Sequence, residues 1–492
     1  MEDLENDEPR RRGRTWGRAA ATVTAVIVFA GGTGVAILSL DEVVTPPGPS
    51  STPAPGTPPP SPPPEEPSEP ELVVDAAAPT VYDAIDDVPK CATSRRPYPD
   101  PSGAAGFEDD VERISRSVER IRELEFERAI DTRVVPAEEV GRRYAASTAR
   151  GYSPVQADGD RRWMAVLRLA PEDVDLRTLA VDVARETAAG FYNPRKDRLF
   201  SRSSGGVLTP IDEVVLAHEL DHALVDQVLR LPGTLSRDPM LSDVMLAHQA
   251  LIEGDATLVM SRYGAGTLDR ATLEGFLRRF SSPQIAAYPG VPWYLQRTSG
   301  FPYFEGLLFA CDAWRRARWN AIDRMYRRPP ASTAEIIFPS RYEERAAGEL
   351  PRPAGSPGWR WTELTVAQFG AFDLMLMLEN ADLLATGRVE PGSRVDDVRG
   401  WNGGVLNVWT KGAATAIHLS FLDAGVFEGD RRRRDLCGVL RGWVRRTFDS
   451  ARQVGRSLWE LERGFAGLRC AGASVRLAIA PGPRPVRRTL GG

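Results

Sequence analysis

Only four histidines occur in this 492-residue chain, and two of them flank a glutamate at a spacing of four: His218-Glu219-Leu220-Asp221-His222. On a helix, residues i and i+4 lie on one face, so both imidazoles point the same way with Glu219 beside them. The surrounding run VVLAHELDHALVDQ, residues 214–227, completes the pattern. Val215, His218, Glu219, His222 and Asp226 share one arc, while Leu216, Ala217, Leu220, Ala223 and Leu224 share the opposite one. Such a helix packs its apolar arc into a core and turns its polar stripe toward a cleft. Two imidazoles on one face suit a zinc ion, which needs a third protein ligand and keeps one position open for water. Glu219 then stands where it can take a proton from that water as general base. Chance would place this motif in about two such chains per thousand. A buried helix with two unrelated core histidines is the bland alternative, and it leaves Glu219 without a role.

The third ligand must come from another element. The next helical stretch, LSDVMLAHQALIEGDATLVMSRY (residues 241–263), offers His248, Glu253 and Asp255. At about 100° per residue, His248 falls roughly 140° from Glu253, and Asp255 lies near His248. Only one side of this helix can face the ion, and spacing alone leaves the choice open.

HELDHALVDQ, followed about thirty residues later by ALIEGDAT, resembles the gluzincin class of zinc peptidases. More closely, it resembles a group of membrane-anchored bacterial metallopeptidases that carry HELTHALQDQ and EGDAT. The resemblance extends loosely over GFYNPRKDRLF upstream and over FPYFEGLLF and PPASTAEIIFP downstream. It implies one Zn2+ held by His218, His222 and Glu253, and hydrolysis of a peptide or protein substrate. It also implies an α+β fold: a predominantly helical zincin-like domain with a small β-sheet before the motif helix. In that class the strand ahead of the active helix pairs with extended substrate, a place that GFYNPRKDRLF would fill.

Three departures stand out. Asp221 replaces the group's Thr, and on helical geometry it is expected off the ligand face with little effect. The group's Gly-Asp-Arg is not seen at WNGGVLNVW, residues 401–409. Thr257 occupies the slot where many gluzincins place an Asp that orients a ligand, so another acceptor is needed, with Asp226 a candidate.

Residues 19–40 carry no charge and follow five arginines between Arg10 and Arg18. About 20 apolar residues suffice to cross a bilayer core. The expected organisation is therefore a cytoplasmic tail (1–18), an uncleaved transmembrane anchor (19–40), a Pro-rich disordered linker (41–71), a zincin-like core (72–345) and a C-terminal lobe of mixed helices and strands (346–492). The arginine bias places everything after the anchor outside the cell membrane. The formal net charge of −5 shows no basic stripe and argues against nucleic acid as a partner. Oligomeric state is not legible. The second functional reading is a non-catalytic surface module that keeps zinc for structure.

The remaining expectations concern single elements. Helices are expected at 105–130 and 172–188, a strand at 162–169, a hairpin at 190–203, and mostly helix on to about residue 345. Ser332 and Glu335 read as a capping box. Strands are expected at 405–409, 414–421 and 473–480. Cys91, Cys311, Cys437 and Cys470 admit three disulfide pairings or free thiols. His418 reads as a solvent-facing strand residue, Tyr303 as a core aromatic, and Glu305 as structural.

Overall fold

The helix that carries the paired histidines runs Pro210–Val228, and local chemistry sets its start. Thr209 Oγ1 accepts the Asp212 N–H at 3.1 Å while Asp212 Oδ2 accepts the Thr209 N–H at 3.0 Å, with Pro210 at the first helical position. These devices satisfy donors that a helix start leaves free. The structure is a computed structural model describing residues 79–92, 106–187, 190–194, 198–202, 208–232, 239–269, 271–272, 275, 290–344, 350–423 and 435–491.

This motif helix packs against the helix Ser242–Thr267, called here the ligand helix, which packs in turn along Trp293–Ala317. The last two approach backbone to backbone. A Cβ on Gly254 would overlap the carbonyl of Gly306, and one on Gly306 would overlap the carbonyl of Ala250. Both positions therefore require glycine. The helix Phe107–Arg122 lies against both the motif helix and the ligand helix.

A three-stranded sheet flanks the motif helix in the order β1 (Asp131–Val135), β3 (Arg198–Arg202), β2 (Gly190–Asn193). β1 runs parallel to β3, and β2 pairs antiparallel with it, Phe191 opposite Phe200. The hairpin expected over 190–203 is present in these two strands.

The rest of the chain builds a seven-stranded antiparallel sheet in the order β4-β5-β6-β10-β9-β8-β7. Its strands are β4 Thr362–Gln368, β5 Trp401–Lys411, β6 Ala414–Asp423, β7 Arg452–Gly455, β8 Leu458–Leu461, β9 Gly464–Ala471 and β10 Ser474–Ala480. Side chains alternate faces along a strand. Ile417, Leu419 and Phe421 of β6 and Val475, Leu477 and Ile479 of β10 join the main core. Ala416, Ala478 and Ala480 face the other way, into a small cluster with Trp409 and Val486. The helices Ala371–Thr386 and Leu436–Thr447 pack on each other, pinned by a hydrogen bond from Trp443 Nε1 to the Met377 carbonyl at 3.1 Å.

The sequence-based fold class needs correction. Helix predominates and strands occur in the C-terminal lobe as expected, but the larger sheet is the seven-stranded antiparallel one near the C-terminus rather than the small sheet before the motif helix. A preceding transmembrane helix is not supported. No helix among the described residues is long and apolar enough to cross a membrane, and residues 1–78, with the expected tail, anchor and linker, lie outside them. The strand expected at 162–169 is instead the end of the helix Pro154–Val166. Its start signal was Ser153-Pro154, where Ser153 Oγ accepts the Gln156 N–H at 3.2 Å. The capping box at Ser332 does not form, because Glu335 accepts the Ala331 N–H instead. Disulfides join Cys91 to Cys311 and Cys437 to Cys470, leaving no free thiol among the described residues.

Candidate metal centre

The motif helix presents His218 and His222 to the ligand helix, whose Glu253 side faces them. His218 Nε2 lies 3.1 Å from Glu253 Oε2, His222 Nε2 lies 3.3 Å from the same oxygen, and the two Nε2 atoms lie 3.1 Å apart. The three ligand atoms all fall within 4.8 Å of one another. Ligands about 2.0–2.1 Å from one tetrahedral ion stand roughly 3.3 Å apart. The donor set and its spacing therefore fit a metal ion. Packing decides what spacing left open: Glu253 joins the histidines, and neither His248 nor Asp255 belongs to a metal-holding group among the described residues. The triad is not sealed in the core, since the Glu253 side chain keeps 22% of its exposure.

Electrostatics follow from this convergence. Burial alone would raise the Glu253 carboxyl, but the charge of His222 and hydrogen bonds from both imidazoles hold it well below the usual carboxylate range. Burial works against a charged His222, yet the Glu253 carboxylate pushes it up to about 9. Without an ion the site is thus an imidazolium–carboxylate pair, and a metal must displace a proton to enter. His218 Nδ1 is buried with no hydrogen-bond partner among the described residues.

Glu219 sits beside the triad. Burial raises its carboxyl, with His222 and His218 opposing and Glu253 adding to the rise. The Tyr192 N–H of β2 donates to Glu219 Oε2 at 2.9 Å, fixing that carboxylate against the small sheet. Gly190 leaves room there: a Cβ would stand 3.4 Å from Glu219 Cγ. Asp226 accepts the Tyr192 hydroxyl at 2.9 Å and so ties β2 to the motif helix.

Other expectations shift. Tyr303 hydrogen-bonds Glu253 and stacks on His218, ring centroids 6.2 Å apart, so it belongs to the site as well as to the core. Tyr144 lies within electrostatic reach of Glu253 and Glu219; no motif marked it, because it comes from a distant helix, Ala137–Gly151. His418 is buried rather than solvent-facing, in the seven-stranded sheet, with Nδ1 3.1 Å from Ser420 Oγ. Burial and Arg476 lower it to about 4. Glu305 is buried in an ion pair with Arg297, 2.5 Å away, and accepts the Tyr82 hydroxyl at 3.0 Å. WNGGVLNVW forms β5, inside the large sheet. Asp221, expected to matter little, is almost completely buried among charges. No family model, curated protein or solved structure matches this chain.

Proposed function

We propose that this protein is a zinc metallopeptidase of gluzincin type, with His218, His222 and Glu253 holding the ion and Glu219 acting as general base. The observation that carries the reading is the convergence of two imidazole nitrogens and one carboxylate oxygen within 4.8 Å, with Glu219 alongside. Two imidazoles and a carboxylate suit zinc. When bound, zinc would polarise a water and the scissile carbonyl. Glu219 would take the water's proton on its carboxylate and pass it to the leaving amine nitrogen, as oxygen bonds to the carbonyl carbon and the C–N bond breaks. Its raised carboxyl suits that shuttle, because a base poised closer to neutrality both accepts and returns a proton. The Tyr192 N–H orients the carboxylate meanwhile. Two disulfides favour an oxidising compartment outside the cytoplasm as the place of action.

The test is zinc analysis of the purified chain, together with digestion of a casein-like mixture. About one zinc per chain and cleavage that disappears in Glu219→Gln are expected. A zinc-free chain, or equal cleavage by the variant, defeats the reading.

A further inference from the structure

Next to the triad lies a second set of charges that the proposed reaction does not use. Arg122, the last residue of Phe107–Arg122, is fully buried. Its Nε and Nη2 each stand 3.2 Å from Asp255 Oδ2, and Nη2 stands 2.7 Å from Asp323 Oδ1. Tyr326 hydrogen-bonds Asp255, and the Trp319 ring lies under the guanidinium, 4.7 Å from its centroid. Asp221 is 1% exposed and interacts electrostatically with Asp255, Arg122, His222 and Asp323. One guanidinium thus serves three carboxyls from three helices: the motif helix, the ligand helix and Trp319–Arg327.

Two of those carboxyls are tied to the triad through the chain. Asp221 immediately precedes His222, and Asp255 lies two residues beyond Glu253. Each residue of a helix turns with its neighbours, so whatever fixes Asp255 also fixes the direction of Glu253. A ligand atom about 6 Å from a helix axis moves about 2 Å when that helix turns about 20°, which is a whole metal–ligand bond length. The same helix makes a second tie with Arg113. Its Nη2 lies 2.7 Å from Glu213 Oε1, whose other oxygen accepts the Tyr263 hydroxyl at 2.9 Å. The two arginines are about 13 Å apart along their helix. The Arg113 tie holds the motif and ligand helices together near the start of the motif helix. The Arg122 tie acts at the level of the ligands, two residues beyond Glu253.

We infer that Arg122 is a positioning residue for the metal triad: by pinning Asp255 and facing Asp221, it fixes the rotation of the ligand helix against the motif helix that brings Glu253 to the two imidazoles. This rests on the reading that the triad holds a metal, so the wild-type chain is the first arm of the test. Zinc affinity is measured by chelator competition on the full chain, with the visible spectrum of the cobalt-loaded protein and the melting temperature of the metal-free protein recorded beside it. Arg122→Lys keeps the charge but not the fork that reaches two carboxylates. Arg122→Met with Asp255→Asn removes the charge and one of its partners together. Both variants are expected to fold, to bind zinc at least tenfold more weakly than wild type, and to show an altered cobalt spectrum. A role confined to stability would lower the melting temperature and leave affinity and spectrum unchanged, and that result overturns the inference. Failure of both variants to fold overturns it too, since the cluster is then part of the fold's stability. A wild-type chain without zinc defeats the underlying reading instead.

Discussion

His222 and His418 are both imidazoles in the protein interior, yet their surroundings drive them in opposite directions. Burial works against a charged His222, but Glu253, Glu219 and Asp221 act on it, and it is pushed up to about 9. His418 lies on the face of the large sheet turned away from the main core, where burial and, among the described residues, the charge of Arg476 lower it to about 4. The sheets differ in the same way. The small one gives a backbone N–H to Glu219 and borders the site. The large one pairs its strands with each other, covers both faces with apolar groups, and keeps its histidine neutral. A buried histidine is therefore a chemical group in one half of this molecule and a packing group in the other. What separates the two cases is the charge of the neighbours.

The strongest test of that contrast is ligand removal. Glu253→Ala should weaken zinc binding by about a hundredfold or more and abolish turnover, whereas His248→Ala and His418→Ala should leave the metal in place. Metal analysis after dialysis decides it, and retention of full zinc by Glu253→Ala would break the site. Glu219→Gln comes next: zinc stays bound while turnover falls by about 10²–10⁴, because only the proton acceptor is gone.

Stability against pH separates the two histidines without any substrate. For His418 the folded value of about 4 lies below the unfolded one of about 6.5. Its contribution is intact above pH 6.5 and is lost as pH falls toward 4, about 3 kcal/mol in all. Urea midpoints at several pH values should show that loss, and His418→Gln should flatten it. For His222 in the metal-free protein the sign reverses. Its folded value is raised to about 9, so its contribution is complete below about 6.5 and is lost as pH rises through 9. Saturating zinc should remove this second slope and leave the first. The smallest effect belongs to Gly254→Ala. A Cβ there meets the Gly306 carbonyl and should cost about 2 kcal/mol in the metal-free chain, read from the same urea midpoints.

His218, Glu219 and His222 were legible as a set because i, i+4 spacing is a local property of any helix. So was the start of the motif helix, since Thr209, Pro210 and Asp212 act within one turn. The hairpin was legible for the same reason, an aromatic pair and a turn signal close in sequence. Glu253 was one of three candidates, and spacing could not choose among them; that side met the histidines only through packing across helices, in which the close approach of Gly254 to Gly306 and the ion pair of Arg122 with Asp255 both hold the ligand helix. β7, β8 and β9 escaped notice because they are short or glycine-bearing and owe their form to partners: β9 pairs with β8 on one side and β10 on the other. The disulfide pairing, the burial of His418 and the gathering of Asp221, Asp255 and Asp323 around Arg122 were likewise decided in three dimensions. Spacing along a chain fixes what one helix can present. Which groups meet across helices depends on how their surfaces pack, and the sequence holds that information only through contacts between residues far apart.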